Sequence, residues 1–170
     1  APAYRIQGEQ VSCDFKAPGF RLPTEHEWEV AARAGTGFKY SGSDALNPVG
    51  WFGDNSSGET HPVGQSAANS WGLYDLSGNV WEWAGDWSDT YPTGRVTDPE
   101  GPPSGDDRVF RGGSFVYSAG WARAANRSWN DPGVADGSLG QFEKKLKFAN
   151  LTSDLPPPFA SISAPLSTCS

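Results

Sequence analysis

The sequence has little of several features that mark common protein classes. Its 170 residues include no Met and only two Cys and two His. No apolar run approaches the roughly 20 residues that span a bilayer, so we expect no membrane insertion. Cys13 and Cys169 lie near opposite ends of the chain; they can pair, but two such cysteines are no disulfide framework, so the redox compartment stays open. Because even position 1 is not Met, we expect a processed, trimmed or fragmentary chain.

Basic residues are also scarce. The chain has 13 Lys and Arg against 20 Asp and Glu, a formal net charge of −7. Nucleic-acid-binding surfaces carry basic patches, so this balance argues against a nucleic-acid partner. The chain is instead rich in Trp (8), Gly (21) and Pro (14). Large rings combined with many turn formers predict a loop-rich domain whose core is built on aromatic side chains.

The clearest regular element is a helix that begins after Pro23. Thr24 and Glu27 form a capping box, the apolar side chains of the next two turns share one face, and Gly35 ends the run. Composition changes after Gly140, where a Pro- and Ser-rich stretch begins. We therefore divide the chain into a domain, 1–140, and a partly irregular C-terminal extension, 141–170. Short strands are predicted at 4–6, 11–15, 71–74, 80–83 and 108–110, and the segment 38–69 is predicted to form long ordered loops around short extended pieces such as 50–52.

Two carboxylates in the segment YDLSGNVWE form a candidate metal site. A Ser-Gly-Asn turn separates Asp75 from Glu82 and can return both side chains to one point, beside the backbone carbonyls of Gly78 and Val80. Oxygen-only ligands are what Ca²⁺ prefers. In the alternative interpretation Asp75 caps the turn and Glu82 pairs with an Arg. The two unassociated histidines, by contrast, make a zinc or iron site improbable.

Three segments carry a family resemblance: GFRLPTEHEWEVAARAG (19–35), THPVGQSAANSWGLYDLSGNVWEWAGDW (60–87) and RVFRGGSF (108–115). They resemble, in order, the signature blocks of the formylglycine-generating-enzyme (sulfatase-modifying factor) family. The resemblance covers about 4–140, without the N-terminal part of the family domain. It implies a C-type-lectin-like α+β fold, loop-rich, with one or two helices and short twisted antiparallel strands. It also implies a structural Ca²⁺ bound through the positions that match Asp75, Gly78, Val80 and Glu82.

The resemblance does not extend to the family's catalytic thiols. In the oxidase, two cysteines shortly after the RGGS block hold copper. Here Tyr117, Ser118 and Trp121 stand about where those thiols would fall, and neither Cys13 nor Cys169 matches a family position. Because Cu(I) requires soft thiolate ligands, we expect no copper and no oxidase activity.

Among cysteine-free relatives, the chain is most similar to the non-catalytic variable proteins of diversity-generating retroelements. Arg123, Ala125 and Arg127 match their A-R-x-A-x-R scaffold, although the expected closing Gly-Phe-Arg reads GQFE at 140–143. Many residues between scaffold positions can arise from an Asn codon by changes at its adenines, but Trp cannot. We call the predicted ligand-binding residues the candidate face. They are Val116, Tyr117, Ser118, Trp121, Ser128, Trp129, Asn130, Asp131, Val134, Asp136, Gly137 and Ser138.

These features predict non-catalytic recognition of a protein or glycan ligand through the candidate face. The resemblance suggests an extracellular, cell-surface or phage-associated setting. Two alternatives stay open from the sequence. The chain can be an oxidase relative that has lost its cysteines, or a structural module of a larger surface or phage protein.

Overall fold

A computed structural model describes residues 3–7, 10–17 and 19–134. The predicted extension 141–170 and the face residues Asp136, Gly137 and Ser138 lie outside the described residues. No helix in the described ranges is long and apolar enough to cross a membrane. The regular elements, in chain order, are β1 (Tyr4–Gln7), β2 (Gln10–Cys13), α1 (Glu25–Arg33), β3 (Glu82–Trp87), β4 (Arg108–Arg111), the 3₁₀ helix η1 (Ala119–Ala122) and β5 (Arg127–Asn130).

Helix α1 begins as the capping box predicts. The Thr24 hydroxyl accepts the backbone N–H of Glu27 at 3.2 Å, and the Glu27 carboxylate accepts the backbone N–H of Thr24 at 2.8 Å. Burial acts to raise the pKa of Glu27, but hydrogen bonds from Arg21 and Thr24 outweigh it, so that pKa is lowered. The helix ends at Arg33, and Ala34 follows in the left-handed region with a φ of 46°.

Two small antiparallel sheets complete the regular structure of the described residues. Strands β1 and β2 form a hairpin that pairs Tyr4 with Cys13. The other sheet has the order β3-β4-β5, and a register shift interrupts the β3–β4 pairing between Trp83 and Trp87. Because the part of the chain that the structure describes has one α-helix and long loops between short strands, the predicted loop-rich α+β class is confirmed.

The core is built on aromatic side chains, as the composition predicts. Trp81 and Trp83 are buried, and both meet the ring of Phe110 edge to face, with centroids 4.8 and 5.4 Å apart. A second cluster surrounds Trp28 of α1 and includes Leu76. The helix and the β3–β4 sheet are therefore each packed around large rings, which bury much area per residue in a chain poor in aliphatics.

The strand predicted at 71–74 is wrong, because a buried amide supplies the hydrogen bonds of that segment. The Asn69 Oδ1 accepts the backbone N–H groups of Trp71 and Leu73 at 3.0 and 3.2 Å. On its other side, the Asn69 amide donates to the Ala31 carbonyl of α1 at 2.8 Å. Side chain-to-backbone bonds of this kind replace strand pairing and fix a turn against the helix.

Residues 50–52 belong to no strand, as expected of a short extended piece between loops, whereas the last strand of the sheet was not predicted. The Phe52 N–H donates to the Asn55 side chain at 2.8 Å, which closes a turn. Conversely, Arg127–Asn130 forms β5 and pairs with Arg108–Arg111, although its RSWN sequence has little strand character of its own. The predicted strand at 80–83 begins later, at Glu82.

Candidate functional site

The RGGS turn that leads into the candidate face is anchored by a buried arginine. Arg111, 0% exposed, donates to Glu25 at 2.9 Å and to Glu29 at 2.6 Å. Its guanidinium also donates to the Ala124 carbonyl at 2.8 Å. Arg111 thus pairs with two internal carboxylates, and a buried charge of this kind needs such neighbours. It connects β4, α1 and the segment after η1.

The two glycines of this turn are required by its geometry. Gly112 and Gly113 have φ values of 93° and 73°, a region that other residues rarely adopt. A Cβ on Gly113 would stand 2.9 Å from backbone atoms of Ala122. The turn therefore lies directly against η1 and fixes the position of the first half of the candidate face.

The first half of the candidate face is a group of exposed apolar side chains on an aromatic support. Val116, Tyr117 and Trp121 are 50%, 38% and 43% exposed. The buried Trp81 ring meets the Tyr117 and Trp121 rings at centroid distances of 5.8 and 6.1 Å. The Tyr117 carbonyl accepts the N–H of Gly53 at 2.9 Å, which holds the backbone in place. Ser118 is exposed beside them.

The second half of the candidate face lies on β5 and the turn that follows. Trp129 is 52% exposed, and its neighbours Ser128 and Asn130 are partly buried. Asp131 closes the next turn by accepting the N–H of Gly133 at 2.8 Å. Val134 is exposed at its end. The structure thus describes nine of the twelve predicted face residues, and only the last three lie outside its range.

Arg127, assigned to the scaffold from the sequence, links β5 to α1. Its guanidinium donates to Glu25 at 2.7 Å and stands over the Tyr91 ring at 4.4 Å. The Tyr91 hydroxyl donates to the same glutamate at 3.0 Å, and burial, followed by the nearby Glu25 charge, raises the pKa of Tyr91 to about 12. Sequence reasoning missed this network, because its members are more than 35 residues apart and share no motif.

The positions expected for the oxidase thiols carry no sulfur in the described chain. Tyr117, Ser118 and Trp121 occupy them, and the cysteine found among the described residues, Cys13, lies on β2 in the N-terminal hairpin. Burial raises the pKa of the Cys13 thiol, which disfavours the thiolate that metal binding requires.

The candidate calcium residues lie around the start of β3. The Asp75 Oδ2 accepts the N–H of Gly64 at 2.7 Å, and the Glu82 Oε2 accepts the indole N–H of Trp28 at 2.6 Å. The Asp75 Oδ1 is buried and has no hydrogen-bond partner in the described structure. Gly78 takes a φ of 84° in the turn, and Val80 is partly buried. The Trp28 indole is thus one hydrogen-bond partner of the Glu82 carboxylate.

The fold and the candidate face together define a C-type-lectin-like α+β domain. The Sulfatase-modifying factor enzyme 1-like domain matches residues 3–141, so the chain belongs to that family. Formylglycine-generating enzymes of Streptomyces coelicolor and Bos taurus are each 38% identical to it, over 82% and 72% of this chain. These alignments cover 51% and 38% of the relatives, so the chain spans about half the length, or less, of the curated relatives it matches.

Solved structures agree with this assignment. Treponema denticola variable protein 1 is 44% identical with a TM-score of 0.73, over 76% of this chain and 49% of that chain. PvdO from Pseudomonas aeruginosa is 28% identical with a TM-score of 0.54, over 66% of this chain and 47% of that chain. The predicted family, the C-type-lectin-like fold and the likeness to a variable protein are confirmed.

Proposed function

We propose that the chain is a non-catalytic recognition domain that binds a protein or glycan ligand through the candidate face. The observation that carries this proposal is a concentration of exposed apolar side chains. Of the eleven large hydrophobic side chains exposed in the described residues, five lie between 116 and 134. Tyr and Trp supply large contact areas at a low cost in conformational entropy, which suits a recognition surface. The likeness to a variable protein supports this proposal.

Binding is tested by screening the chain and a face variant against the same ligands. In the variant Tyr117, Trp121 and Trp129 become Ala, and a matched control replaces Phe20 and Phe38, exposed rings in other parts of the chain. Glycan arrays and a library of displayed proteins provide the probes. We expect a ligand that the control binds and the face variant loses by at least about tenfold, since exposed aromatic anchors dominate such interfaces. A ligand held equally by both variants would place recognition elsewhere.

We also propose that a diversity-generating retroelement diversifies the candidate face. The support is the RGGS and A-R-x-A-x-R layout, together with residues that arise from Asn codons. Deep sequencing of the gene and its flanking DNA in a population of the source organism tests this. Variation concentrated in the codons for 116–138, with an adenine-bearing near-copy and a reverse transcriptase nearby, is the expected result. An invariant segment without a template copy would sink the idea and leave a fixed binding surface.

The rival function is the oxidase activity, because relatives at 38% identity are named formylglycine-generating enzymes. The chain has Tyr117, Ser118 and Trp121 where the resemblance expects thiols, and none of these side chains binds Cu(I) well. Oxidase activity is tested by incubating the copper-treated chain with a Cys-x-Pro-x-Arg peptide and measuring the mass of the peptide by mass spectrometry. We expect the peptide cysteine to remain unconverted, and its conversion to formylglycine would overturn the non-catalytic proposal.

We further propose that Asp75, Gly78, Val80 and Glu82 hold a structural Ca²⁺. The buried Asp75 Oδ1, which lacks a hydrogen-bond donor, fits a cation at this position. A buried carboxylate oxygen without a donor is costly, and a bound cation would satisfy it. Among the described residues no group of three or more His, Cys, Asp or Glu side chains could hold a metal ion. The proposed site therefore depends on backbone carbonyl ligands in addition to its two carboxylates.

A further inference from the structure

A cavity of about 320 Å³ opens at the N-terminus of α1, apart from the candidate face. Its walls come from α1, the end of β3, the loop over 89–102 and the start of β5. This volume lies at the low end of the range for small-molecule sites and suits one amino-acid side chain or a compact ligand. The chemistry of the cavity depends on Glu25, His26, Asp86, Asp89, Glu100 and Arg127.

The cavity carries an excess of negative charge. Glu25 is neutralised by Arg111 and Arg127, at 2.9 and 2.7 Å. That pairing leaves Asp86 and two exposed carboxylates, Asp89 and Glu100, without an ion pair in the described structure. The cavity therefore favours a cationic ligand over an anionic one.

An anion is further disfavoured because the protein already supplies one at the helix terminus. The Asp86 Oδ2 accepts the backbone N–H of Glu25 at 2.6 Å, so a carboxylate occupies the position where a helix N-terminus would attract a bound anion. Asp86 is only 6% exposed. Burial, together with the nearby charges of Glu25 and Glu27, raises the pKa of Asp86 to about 6, although the hydrogen bond from the Glu25 N–H and, to a smaller extent, the charge of Arg127 act to lower it.

His26 provides a second, independent indication of a ligand. It lines the cavity, is 9% exposed, and its Nε2 has no hydrogen-bond partner among the described residues. A neutral imidazole offers one nitrogen as an acceptor, and a buried polar nitrogen is normally bonded. A ligand that carries N–H donors would satisfy it.

We propose that this cavity binds an ammonium or guanidinium group carried on an alkyl chain. The group is either a free alkylamine or the side chain of a Lys or Arg in a bound polypeptide. Its N–H donors would bond to Asp86 and His26, and its alkyl stem would pack on the ring of Tyr91 and the prolines of the loop wall. The proposal does not rest on the recognition function, since none of these residues belongs to the candidate face.

Titration of the ¹⁵N-labelled chain with three matched probes tests the proposal by amide chemical shifts at pH 7 and constant ionic strength. The probes are n-butylammonium, n-butanol and n-butyrate. We expect saturable shifts with n-butylammonium alone, confined to amides near 25–26, 86–91 and 99–102. Equal or larger shifts with the neutral or anionic probe would overturn the proposal. Such a failure would leave the binding of glycans or proteins by the candidate face untouched.

Variants connect the binding to the cavity. Asp86→Asn keeps an oxygen for the Glu25 N–H but removes the charge, and we expect n-butylammonium to bind at least about tenfold more weakly. Glu100→Gln removes the charge of an exposed wall residue, and a several-fold loss is expected. The control is Asp98→Asn, which makes the same charge change in the same loop but outside the cavity lining. Losses no greater in the two cavity variants than in the control would contradict the proposal.

The pH dependence of n-butylammonium binding gives a further test of the proposed cation site. Protonation of Asp86, whose pKa is raised to about 6, competes with the cation at pH 5, so binding should weaken several-fold from pH 7 to pH 5, and much less in the Asp86→Asn variant. Binding that does not change with pH in the unmodified chain would contradict the role of Asp86.

A second probe, Nα-acetyl-lysine methylamide, identifies the source of the cation. Saturable shifts with this probe indicate a polypeptide side chain, and shifts with n-butylammonium alone indicate a free amine.

Discussion

At the scale of single residues, buried charges hold the candidate face in place. Arg111 has no exposed surface, and its two carboxylate partners are 7% and 10% exposed at the side chain. Glu25 and Glu29 meet further guanidinium groups, from Arg127 and Arg33. The network joins the helix to β4 and β5. Removal of one partner of a buried ion pair costs much folding free energy, because the remaining charge stays buried without a partner.

Replacement of Arg111 by Met should therefore destabilise the domain strongly. We expect the free energy of unfolding to fall by about 3–5 kcal/mol, since two buried carboxylates lose a shared guanidinium. Urea unfolding followed by fluorescence measures it. The control is Arg33→Met, which removes a more exposed i,i+4 partner of Glu29 and should cost about 1 kcal/mol or less. Equal losses in both variants would argue against the central role of Arg111.

Asp86 should make stability depend on pH. Its pKa is raised to about 6 from the ordinary value of 3.8 by burial and the carboxylates around it. The folded state therefore binds a proton more tightly than the unfolded state, and its stabilising contribution is lost as pH rises from about 4 to about 6. We expect this contribution to be on the order of 2–3 kcal/mol, at 1.36 kcal/mol per pKa unit.

The Asp86→Asn variant isolates this effect. Urea unfolding of both proteins at pH 4.5 and pH 7 gives two differences in the free energy of unfolding. The variant should gain stability relative to the unmodified chain as pH rises, because it has no charge to bury at pH 7. A difference that stays constant across this range would contradict the raised pKa.

At the scale of elements, α1 owes its start to local sequence, whereas β5 owes its existence to its neighbour. The capping box of Thr24 and Glu27 satisfies two backbone N–H groups that have no partner within the helix. The β5 sequence has no comparable local signal. It forms a strand because it pairs with β4 at four positions, from Arg108↔Asn130 to Arg111↔Arg127.

Replacement of Thr24 by Ala tests the local contribution. The hydroxyl accepts the Glu27 N–H, and its loss should lower the free energy of unfolding by about 1 kcal/mol, within a range of about 0.5–2. Thr24→Ser keeps the acceptor and is the matched control, with a change of less than about half as much. Thermal or urea unfolding measures both, and similar losses in the two variants would mean that the methyl group of Thr24, not the cap, provides the stability.

At the scale of the whole molecule, the proposed Ca²⁺ would connect distant segments. Asp75 is bonded to the 60–64 loop through Gly64, and Glu82 is bonded to α1 through Trp28. An ion between them would join that loop, the turn and the helix in a domain with few long elements. Such an ion stabilises the folded state because it binds that state and not the unfolded one.

We therefore expect Ca²⁺ to raise the melting temperature and a chelator to lower it. At about 100 times its dissociation constant the ion should add about 2.7 kcal/mol. Asp75→Asn should remove the response, whereas Asp54→Asn, an exposed aspartate elsewhere, should keep it. Mg²⁺ should act more weakly, since it requires stricter geometry and holds its water. A melting temperature that does not change when Ca²⁺ is added would contradict the proposed calcium site.

The sequence predicted the candidate face in part. Tyr117, Trp121 and Trp129 were placed there because of the RGGS and scaffold pattern, and the structure leaves all three exposed. What the pattern could not give was their support. The Trp81 ring beneath two of them comes from the residue just before β3, and the residues between Trp81 and Trp121 include a long loop. Contacts between residues this far apart in the sequence depend on the path of the folded chain, and the spacing of residues within a motif does not specify that path.

The sequence by itself determined the features that depend on near neighbours: the capped helix α1, the Gly-Gly turn at 112–113 and the aromatic composition of the core. The signature blocks also determined the family. Only the tertiary structure decided that Asn69 replaces a strand with a turn, that Arg127 meets Glu25, and that Asp86 faces a cavity at the start of α1. The physical reason is the sequence separation between the interacting groups. Caps and turns satisfy backbone groups within a few residues, whereas buried charges and amides take whichever partner the folded chain brings to them.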